Sequence, residues 1–341
     1  MTHSCDLSVI ISAYNQNATL ELVLSLLAKQ DYAGRWEVIV CDDGSDEDTL
    51  SIVKSASNCF NRQLRYVWQA RNGFGLARSR NNALRCANGD VIVLMDADLA
   101  VSPDFLSRHA RYHSHGQRRL LCGIRRWLFV DDLRHGTQLE ITVRSLLTSH
   151  SSMAGLYSEM PAQKKYAHST HPWLSCRGCN FSFSRDIQPL FFDETFNGWG
   201  GEDIEFACRL RLRHGYEINF DPEIVGLHLE QGHRHFVAVR AESHGQIVQF
   251  LRNIVYFCDS YPDFDMSPAC ESFGLFELDA ASNSWRKAGR PQFSREHIHS
   301  ILATARRWLT DSGLRQQPRY PESTPALAAT LGVRGSRREQ P

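Results

Sequence analysis

Residues 91–98 read VIVLMDAD, and this stretch decides the fold. Its first five residues are apolar, which suits a strand that is buried on both faces of a sheet. Earlier runs of the same kind predict strands at residues 7–12, 36–41 and 64–68. Between the strands, the spacing of apolar side chains predicts helices at residues 18–29, 46–55 and 76–87. This alternation predicts an α/β fold with a mostly parallel sheet and right-handed crossovers.

The rest of the chain has a less regular pattern. We predict a helix at residues 103–113, a strand at 120–124 and a long polar loop at 149–169. Further strands are predicted at residues 180–184, 216–220 and 224–229, and further helices at 202–214, 236–259 and 296–309. We therefore expect one α/β domain at residues 1–235, a helical extension at 236–311 and a disordered tail at 312–341.

Two acids, Asp96 and Asp98, flank one small residue directly after the fourth predicted strand. In a turn, side chains at this spacing can converge on one hard cation, and carboxylates together with a diphosphate suit Mg²⁺ or Mn²⁺. The alternative is a solvated turn that happens to carry two acids. Because ligands of parallel sheets bind beyond the carboxyl ends of the strands, this position favours a metal site.

Two other polar segments follow predicted strands. The second strand ends in DDGS at residues 42–45, where the acidic pair can accept hydrogen bonds from a ribose or a base, while Ser45 can cap the next helix. After the third strand, NGFG at residues 72–75 leads into a helix that carries Arg80. Glycines at a helix start allow close approach of a phosphate, and Arg80 can contact a diphosphate as a fork-shaped donor.

Residues 196–203 read FNGWGGED, an unusual string. Trp199 offers an apolar platform for the C–H face of a sugar. Glu202 and Asp203 fall in the first turn of a predicted helix, where the helix dipole favours ionised carboxylates. One of them can act as a general base toward a hydroxyl group. The alternative is helix capping beside a buried tryptophan.

His228 follows a predicted strand, and a neutral imidazole is a common ligand of transition metals. His233 and His235 lie nearby, so the sequence leaves the choice of ligand open. Cys176 and Cys179 form a C-x-x-C motif without the second pair that a zinc site needs. We expect the ten cysteines to be mostly reduced, buried, small apolar residues.

Taken in order, these motifs resemble family 2 glycosyltransferases of the GT-A fold. The resemblance is carried by SVIISAYN at residues 8–15, DDGS at 42–45, RN at 80–81, DAD at 96–98 and WGGED at 199–203. The segment WGGEDIEFACRL is similar to the acceptor region of galactosyltransferases and N-acetylgalactosaminyltransferases, as in bacterial chondroitin polymerase. The resemblance covers residues 7–235 and implies a nucleotide-binding half at 1–100 and an acceptor half at 101–235.

The resemblance also implies roles for the matching positions. It implies donor contacts from Ala13, Tyr14, Asn15, Asp43, Arg80, Asp96, Gly178 and Asn180. It implies a metal held by Asp98 and His228. It implies an acceptor held by Trp199, Gly200, Gly201 and Glu202, with Asp203 as the catalytic base beside Glu202.

The implied reaction moves a sugar from a nucleotide sugar, expected to be a UDP-sugar, to an acceptor hydroxyl with the help of Mn²⁺ or Mg²⁺. A single displacement would invert the anomeric carbon, and a retaining course stays open because some relatives with a WGGE motif retain. The acceptor also stays open among a glycan, a lipid-linked glycan, a peptide and a small molecule.

Composition narrows the partners. The chain has 38 basic and 38 acidic residues, so binding to nucleic acid through its phosphates is not expected. Its longest apolar runs have about five residues, whereas a membrane span needs about 20. We expect a cytoplasmic protein, with peripheral membrane contact left open.

Two alternative functions remain. One is a nucleotide-sugar-binding protein without catalysis, and the retained acids and His228 argue against it. The other is a sugar nucleotidyltransferase. It would carry a glycine-rich loop with a basic residue after the first strand, where this chain has AYN at residues 13–15.

Overall fold

A sheet of ten strands forms the centre of the part of the molecule that the structure describes. The computed structural model describes residues 6–46, 48–57, 60, 63–114, 118–133, 136–148, 150–153, 155–158, 160–185, 190–232, 243–290, 292–315 and 327–330. Strands β1, β2 and β4 contain almost only buried residues, as expected for strands covered on both faces. The predicted α/β class with a mostly parallel core is therefore confirmed.

The strands follow the predicted order, with additions. Their bounds are β1 (Leu7–Ala13), β2 (Trp36–Asp42), β3 (Gln63–Trp68), β4 (Val91–Asp96), β5 (Leu99–Val101), β6 (Arg119–Val130), β7 (Tyr157–Ser158), β8 (Asn180–Ser184), β9 (Glu217–Gln231), β10 (Phe276–Asp279), β11 (Ser284–Lys287) and β12 (Leu327–Thr330). The main sheet has the order β12-β3-β2-β1-β4-β8-β6-β9-β5, with β7 beside β6. Strands β10 and β11 form a separate antiparallel pair that the sequence analysis did not predict.

Helices cover both faces of the sheet. Their bounds are α1 (Asn17–Leu27), α2 (Thr49–Ser57), α3 (Leu76–Cys86), α4 (Phe105–His113), α5 (Thr137–Leu147), α6 (Met160–Ala167), α7 (Glu202–His214), α8 (His244–Asp259) and α9 (Arg295–Asp311). The predicted helix at residues 202–214 has these bounds in the structure. The predicted helix at 236–259 begins at residue 244 within the described residues, and residues 236–242 lie outside them.

The long loop predicted at residues 149–169 is wrong in part. Residues 150–153 form a 3₁₀ turn, and α6 occupies residues 160–167. Gln163 shows how α6 is fixed, because its buried side chain donates from Nε2 to the carbonyl oxygens of Ser175 at 2.9 Å and Gly123 at 3.3 Å. The helix is held by these tertiary contacts and lacks the apolar spacing by which a sequence reveals a helix.

The two strands predicted at residues 216–220 and 224–229 are one long strand, β9. Residues 221–224 bridge them opposite a bulge in β6, where Phe220 pairs with Cys122 and Val225 pairs with Ile124. The buried Asn180 side chain closes this bulge, since its Nδ2 donates to the carbonyl oxygens of Ile124 at 2.8 Å and Ile224 at 3.1 Å. A polar Asp-Pro-Glu segment therefore did not end the strand.

The carboxyl-terminal region packs on the main domain through α8 and α9. Buried residues of both helices belong to the same apolar cluster as Phe206 of α7. Within the segment 312–341, for which disorder was expected, Leu327–Thr330 pairs antiparallel with β3. Residues 316–326 and 331–341 lie outside the described residues.

Two further expectations concern cysteines and membranes. Eight cysteines lie in the described ranges, and seven of them are buried, as expected. Every helix in those same ranges falls short of the length and apolar character that crossing a membrane requires.

Candidate functional site

Ionisable side chains from four elements and one turn meet beyond the carboxyl ends of the parallel strands. They are Arg80 of α3, Asp96 at the end of β4, Asp98 between β4 and β5, Glu202 and Asp203 of α7, and His228 of β9. The chain separation between these residues is large, and parallel topology brings them to one edge of the sheet. The sequence analysis singled out all six.

Arg80 lies at the centre of this group and is only 1% exposed. Its guanidinium donates to Asp96 at 3.3 Å, to Glu202 at 3.1 Å and to the hydroxyl of Ser12 at 3.2 Å. A buried guanidinium stays charged, so these two carboxylates stabilise it. Arg80 therefore joins the strand end that carries Asp96 to the helix start that carries Glu202.

The two carboxylates beside Arg80 have perturbed acidities. Desolvation raises the pKa of Asp96, and the charge of Arg80 opposes this shift. Burial and the neighbouring charge of Asp203 raise the pKa of Glu202 to about 7, again against the effect of Arg80. Perturbed acids in one cluster are typical of functional sites.

Asp203 is held by backbone donors. Its Oδ2 accepts from the N–H of Gly178 at 2.8 Å, and its Oδ1 accepts from the N–H of Ile204 at 2.8 Å. The approach of Gly178 is close, because a Cβ there would lie 2.7 Å from Nη1 of Arg80. We name residues 176–180 the donor loop, after the role that the family resemblance implies for Gly178 and Asn180. The contact of this loop with Asp203 fixes the carboxylate next to Glu202.

Asp98 and His228 form a pair at the other side of Asp96. Oδ1 of Asp98 lies 3.3 Å from Nε2 of His228, while Oδ2 accepts from Nε2 of Gln16 at 2.6 Å. Strand pairing sets this approach, since Leu99 is opposite His228 where β5 meets β9. Among the described residues, no three His, Cys, Asp or Glu side chains are grouped to hold a metal. A carboxylate with an imidazole is nevertheless a donor set that a divalent cation accepts when phosphate oxygens complete the shell.

The predicted nucleotide pocket lies at the ends of β1 and β2. Asp43 accepts hydrogen bonds from Nε2 of Gln69 at 2.6 Å and from the N–H of Gly75 at 2.8 Å, and it also contacts Arg71. The Arg71 guanidinium stacks 3.6 Å above the ring centre of Tyr14, whose side chain is exposed. A flat aromatic face and a carboxylate therefore lie side by side.

The turn after β1 is shaped by neighbouring polar groups. Asn15 has a positive φ of 49°, and its N–H donates to Oγ of Ser45 at 2.9 Å. Ala13 accepts from the N–H of Asp43 at 3.0 Å, which holds the two strand ends together. The prediction that Ser45 caps α2 is wrong, because the helix begins at Thr49 and Asp48 accepts from the N–H of Ser51.

The predicted acceptor segment is a glycine-rich loop anchored by α8. Gly198, Gly200 and Gly201 all have φ values near +100°, which side chains rarely tolerate. The buried Asn253 donates from Nδ2 to the carbonyl oxygens of Gly198 at 3.2 Å and Gly200 at 2.9 Å. Trp199 is half-buried against Phe250 with 5.8 Å between ring centres. The loop thus depends on a helix from the carboxyl-terminal region.

Several functional positions were missed or placed differently. The sequence analysis did not single out Gln69, Arg71 or Asn253. The position of Arg71 directly before NGFG was the available signal for that residue. Asn180 was expected beside the donor, and its side chain instead faces the bulge of β6. Gly178 lies next to both Arg80 and Asp203. His233 and His235 lie outside the described residues.

Curated relatives include three transferases. A hyaluronan synthase of Pasteurella multocida is 30% identical over 241 residues, which cover 66% of this chain and 24% of that protein. A chondroitin synthase of Escherichia coli is 27% identical over 270 residues, covering 74% and 39%. A validoxylamine A glucosyltransferase of Streptomyces hygroscopicus subsp. limoneus is 26% identical over 249 residues, covering 65% and 51%. The chain spans about a quarter to a half of the lengths of these relatives.

Two solved structures share the fold. A mannosyltransferase of Pyrobaculum calidifontis in complex with GDP-Man and Mn²⁺ has a TM-score of 0.52 and 19% identity, covering 92% of this chain and 76% of that chain. GalNAc-T7 with UDP, GalNAc and Mn²⁺ has a TM-score of 0.52 and 16% identity, covering 92% and 57%. These likenesses confirm the predicted GT-A fold.

The family model named glycosyl transferase family 2 matches residues 8–188. That range holds the strand ends, Arg80, the two acids after β4 and the donor loop. Because this model covers more than half of the chain and the fold agrees with it, the protein belongs to glycosyl transferase family 2.

Proposed function

We propose that this chain is a metal-dependent glycosyltransferase that moves a sugar from a nucleotide sugar, a UDP-sugar, to an acceptor hydroxyl with inversion. The observation that carries the proposal is the convergence of Asp96, Glu202 and the donor loop on the buried Arg80. In this proposal, Arg80 lies between a carboxylate-rich acceptor side and the nucleotide side. The relatives named above are synthases and a glucosyltransferase, which supports the reaction class.

Asp98 and His228 would hold the divalent cation, Mn²⁺ or Mg²⁺. Their ligand atoms lie 3.3 Å apart, and Gln16 fixes the other oxygen of Asp98. Two similar structures hold Mn²⁺ with a nucleotide or nucleotide sugar, which supports this assignment. When bound, the cation supplies positive charge to the departing diphosphate.

Asp203 would be the base. It takes the proton of the acceptor hydroxyl as that oxygen forms its bond to the anomeric carbon, while the bond to the donor phosphate breaks and the nucleoside diphosphate leaves. The two backbone donors keep its carboxylate oriented through this step. Glu202 would position the acceptor and Arg80. Glu202 is the rival base, because its pKa of about 7 suits proton transfer near neutral pH.

The acceptor would bind over the 198–201 loop, with Trp199 against the sugar face. The reacting group would be a hydroxyl of a glycan, a lipid-linked glycan, a peptide or a small molecule. A binding protein without catalysis is the second candidate function. The hydrogen bonds of Arg80 do not favour it over catalysis.

One experiment separates these functions. Purified protein is incubated with a panel of nucleotide sugars, with Mn²⁺, Mg²⁺ or a chelator, and release of nucleoside diphosphate is measured. We expect release from a UDP-sugar that requires the metal and increases with an acceptor extract. Binding without release in every case would leave only the binding function. The anomeric configuration of the product, measured by NMR, tests inversion.

A further inference from the structure

Arg125 of β6 lies beside the candidate site and has no role in the account above. Its guanidinium stacks 4.3 Å above the ring centre of Trp127, two residues along the same face of the strand. Trp127 is opposite His228 in the pairing of β6 with β9, and the two ring centres are 5.7 Å apart. Arg125, Trp127 and His228 therefore form a row of neighbouring side chains, and His228 belongs to the proposed metal pair.

One edge of the same guanidinium faces the donor loop. Its Nη1 lies 3.9 Å from Sγ of Cys179, the residue after Gly178. Cys179 directly precedes Asn180, which pairs with Met95 of β4. The guanidinium thus lies beside the donor loop and near the end of β4.

The charge of the site explains why a second guanidinium matters. Arg80 is buried and is engaged by Asp96 and Glu202. Asp98 and Asp203 add two more carboxylates nearby, whereas the donor diphosphate is itself an anion. A half-buried arginine held by an aromatic stack is pre-organised to offset this excess and to contact phosphate oxygens.

We propose that Arg125 binds the sugar-bearing phosphate of the donor diphosphate. This inference rests on the proposed function, since it needs a nucleotide-sugar donor in the site. The contact would be a charge-assisted hydrogen bond to a phosphate oxygen, next to the donor loop and to Asp96. Trp127 would act as a positioning residue by holding the guanidinium in place.

The test is calorimetric binding of a nucleoside monophosphate and the corresponding diphosphate, UMP and UDP, with GDP and GMP as a second pair. Wild-type protein is compared with Arg125→Ala and Arg125→Lys. Arg119→Ala is the matched control, because Arg119 is on the same strand about 20 Å away and contacts Tyr112. A thermal melt of each variant confirms folding.

Arg125→Ala is expected to weaken diphosphate binding by about 10- to 100-fold while monophosphate binding stays within about twofold. Arg125→Lys should lie between, because a lysine keeps the charge and loses the fork geometry and the stack. Unchanged diphosphate binding, or an equal loss for both nucleotides, would overturn the inference alone. Wild-type protein that binds none of the nucleotides would overturn the proposed function and this inference with it.

Discussion

The Asp98 carboxylate lies between the side chains of Gln16 and His228 at the end of the central strands. We predict that Asp98→Ala abolishes the stimulation of nucleotide binding by Mn²⁺ and reduces turnover to background. The fold should persist, because the Asp98 side chain contacts the polar groups of Gln16 and His228 at the edge of the site. Calorimetry with and without Mn²⁺, together with a thermal melt, checks this. Full activity that still requires the metal would remove Asp98 from the metal site.

Asp203 and Glu202 can be distinguished by matched amides. Asp203→Asn should reduce the turnover number by about 10²- to 10⁴-fold, because an amide cannot accept the hydroxyl proton. Glu202→Gln should have a smaller effect if that side chain only positions the acceptor and Arg80. Turnover number and donor Kd are both required, since a donor-binding defect would resemble base loss. A dead Glu202→Gln beside an active Asp203→Asn would exchange the two roles.

At the residue scale, the sequence singled out side chains that the structure brings together where strand ends dictate position. Asp96 ends β4, Glu202 begins α7 and Arg80 lies in the second turn of α3. Parallel strands bring such positions together at one edge of the sheet. Arg71 and Arg125 were missed because neither stands in a motif. Their position depends on stacking against Tyr14 and Trp127, which only the tertiary structure creates.

At the scale of elements, α8 supports the loop at residues 198–201. Asn253→Ala removes two hydrogen bonds to the carbonyl oxygens of Gly198 and Gly200. We expect the free energy of unfolding to fall by about 1–3 kcal/mol. We also expect the acceptor KM to rise, while donor affinity stays near that of the wild type. Urea unfolding and steady-state kinetics measure these effects.

A second substitution tests the explanation for Asn253. Asn253→Asp has the same shape and cannot donate to carbonyl oxygens, so it should be at least as harmful as alanine. An aspartate variant with wild-type stability and kinetics would show that the loop is held in another way.

The donor loop depends on the absence of a side chain at Gly178. A methyl group there would lie 2.7 Å from Nη1 of Arg80, and that guanidinium is held by three partners. We predict that Gly178→Ala displaces Arg80 and lowers kcat by about 10- to 100-fold without unfolding the protein. Gly155→Ala is the control, because a Cβ at Gly155 meets no atom within 4 Å. Equal kinetics of the two variants would argue against a close packing role for Gly178.

Elements were predictable where apolar residues form continuous runs or recur at helical spacing. The apolar runs of β1, β2 and β4 gave strands in the right places, since strands buried on both faces are continuous apolar runs. Helix α6 was missed because the contacts of Gln163 stabilise it instead of an apolar face. The prediction divided β9 into two strands at the polar segment around Pro222. The strand continues there because a bulge in the partner strand accommodates that segment.

At the scale of the whole molecule, two buried histidines predict how stability depends on pH. His109 and His113 of α4 both contact the hydroxyl of Ser182, at 2.7 and 2.8 Å. Burial lowers the pKa of each imidazole to about 3. In the unfolded chain a histidine takes up its proton near pH 6.5, so the unfolded state binds more protons between pH 6.5 and about 3. The free energy of unfolding must therefore fall as the pH decreases through that window.

The expected slope is about 1.4 kcal/mol per pH unit for each histidine below pH 6.5. Urea unfolding at pH 7.5, 6.0 and 5.0 measures it. His113→Asn should be less stable at pH 7.5 and should show a shallower decrease toward pH 5. The same slope in the variant and the wild type would mean that other groups cause the acid sensitivity.

Sequence alone predicted the whole-molecule class and the order of its first elements. It predicted neither the β10–β11 pair nor the packing of α8 against the 198–201 loop. Long-range packing between separate segments leaves no local pattern in a sequence. The buried contacts of Asn253 with the 198–201 loop make that dependence specific.

The ion pair of Arg80 with Glu202 has a consequence for recombining relatives of this protein. The two residues are 122 positions apart, and Arg80 is buried. A chimaera that joins residues 1–100 to the acceptor half of another family member inherits the guanidinium and must find a carboxylate in the incoming half. Strands β4 and β8 must also keep their pairing across the junction. Successful exchanges of acceptor specificity should therefore keep an acid at position 202, whatever other residues change.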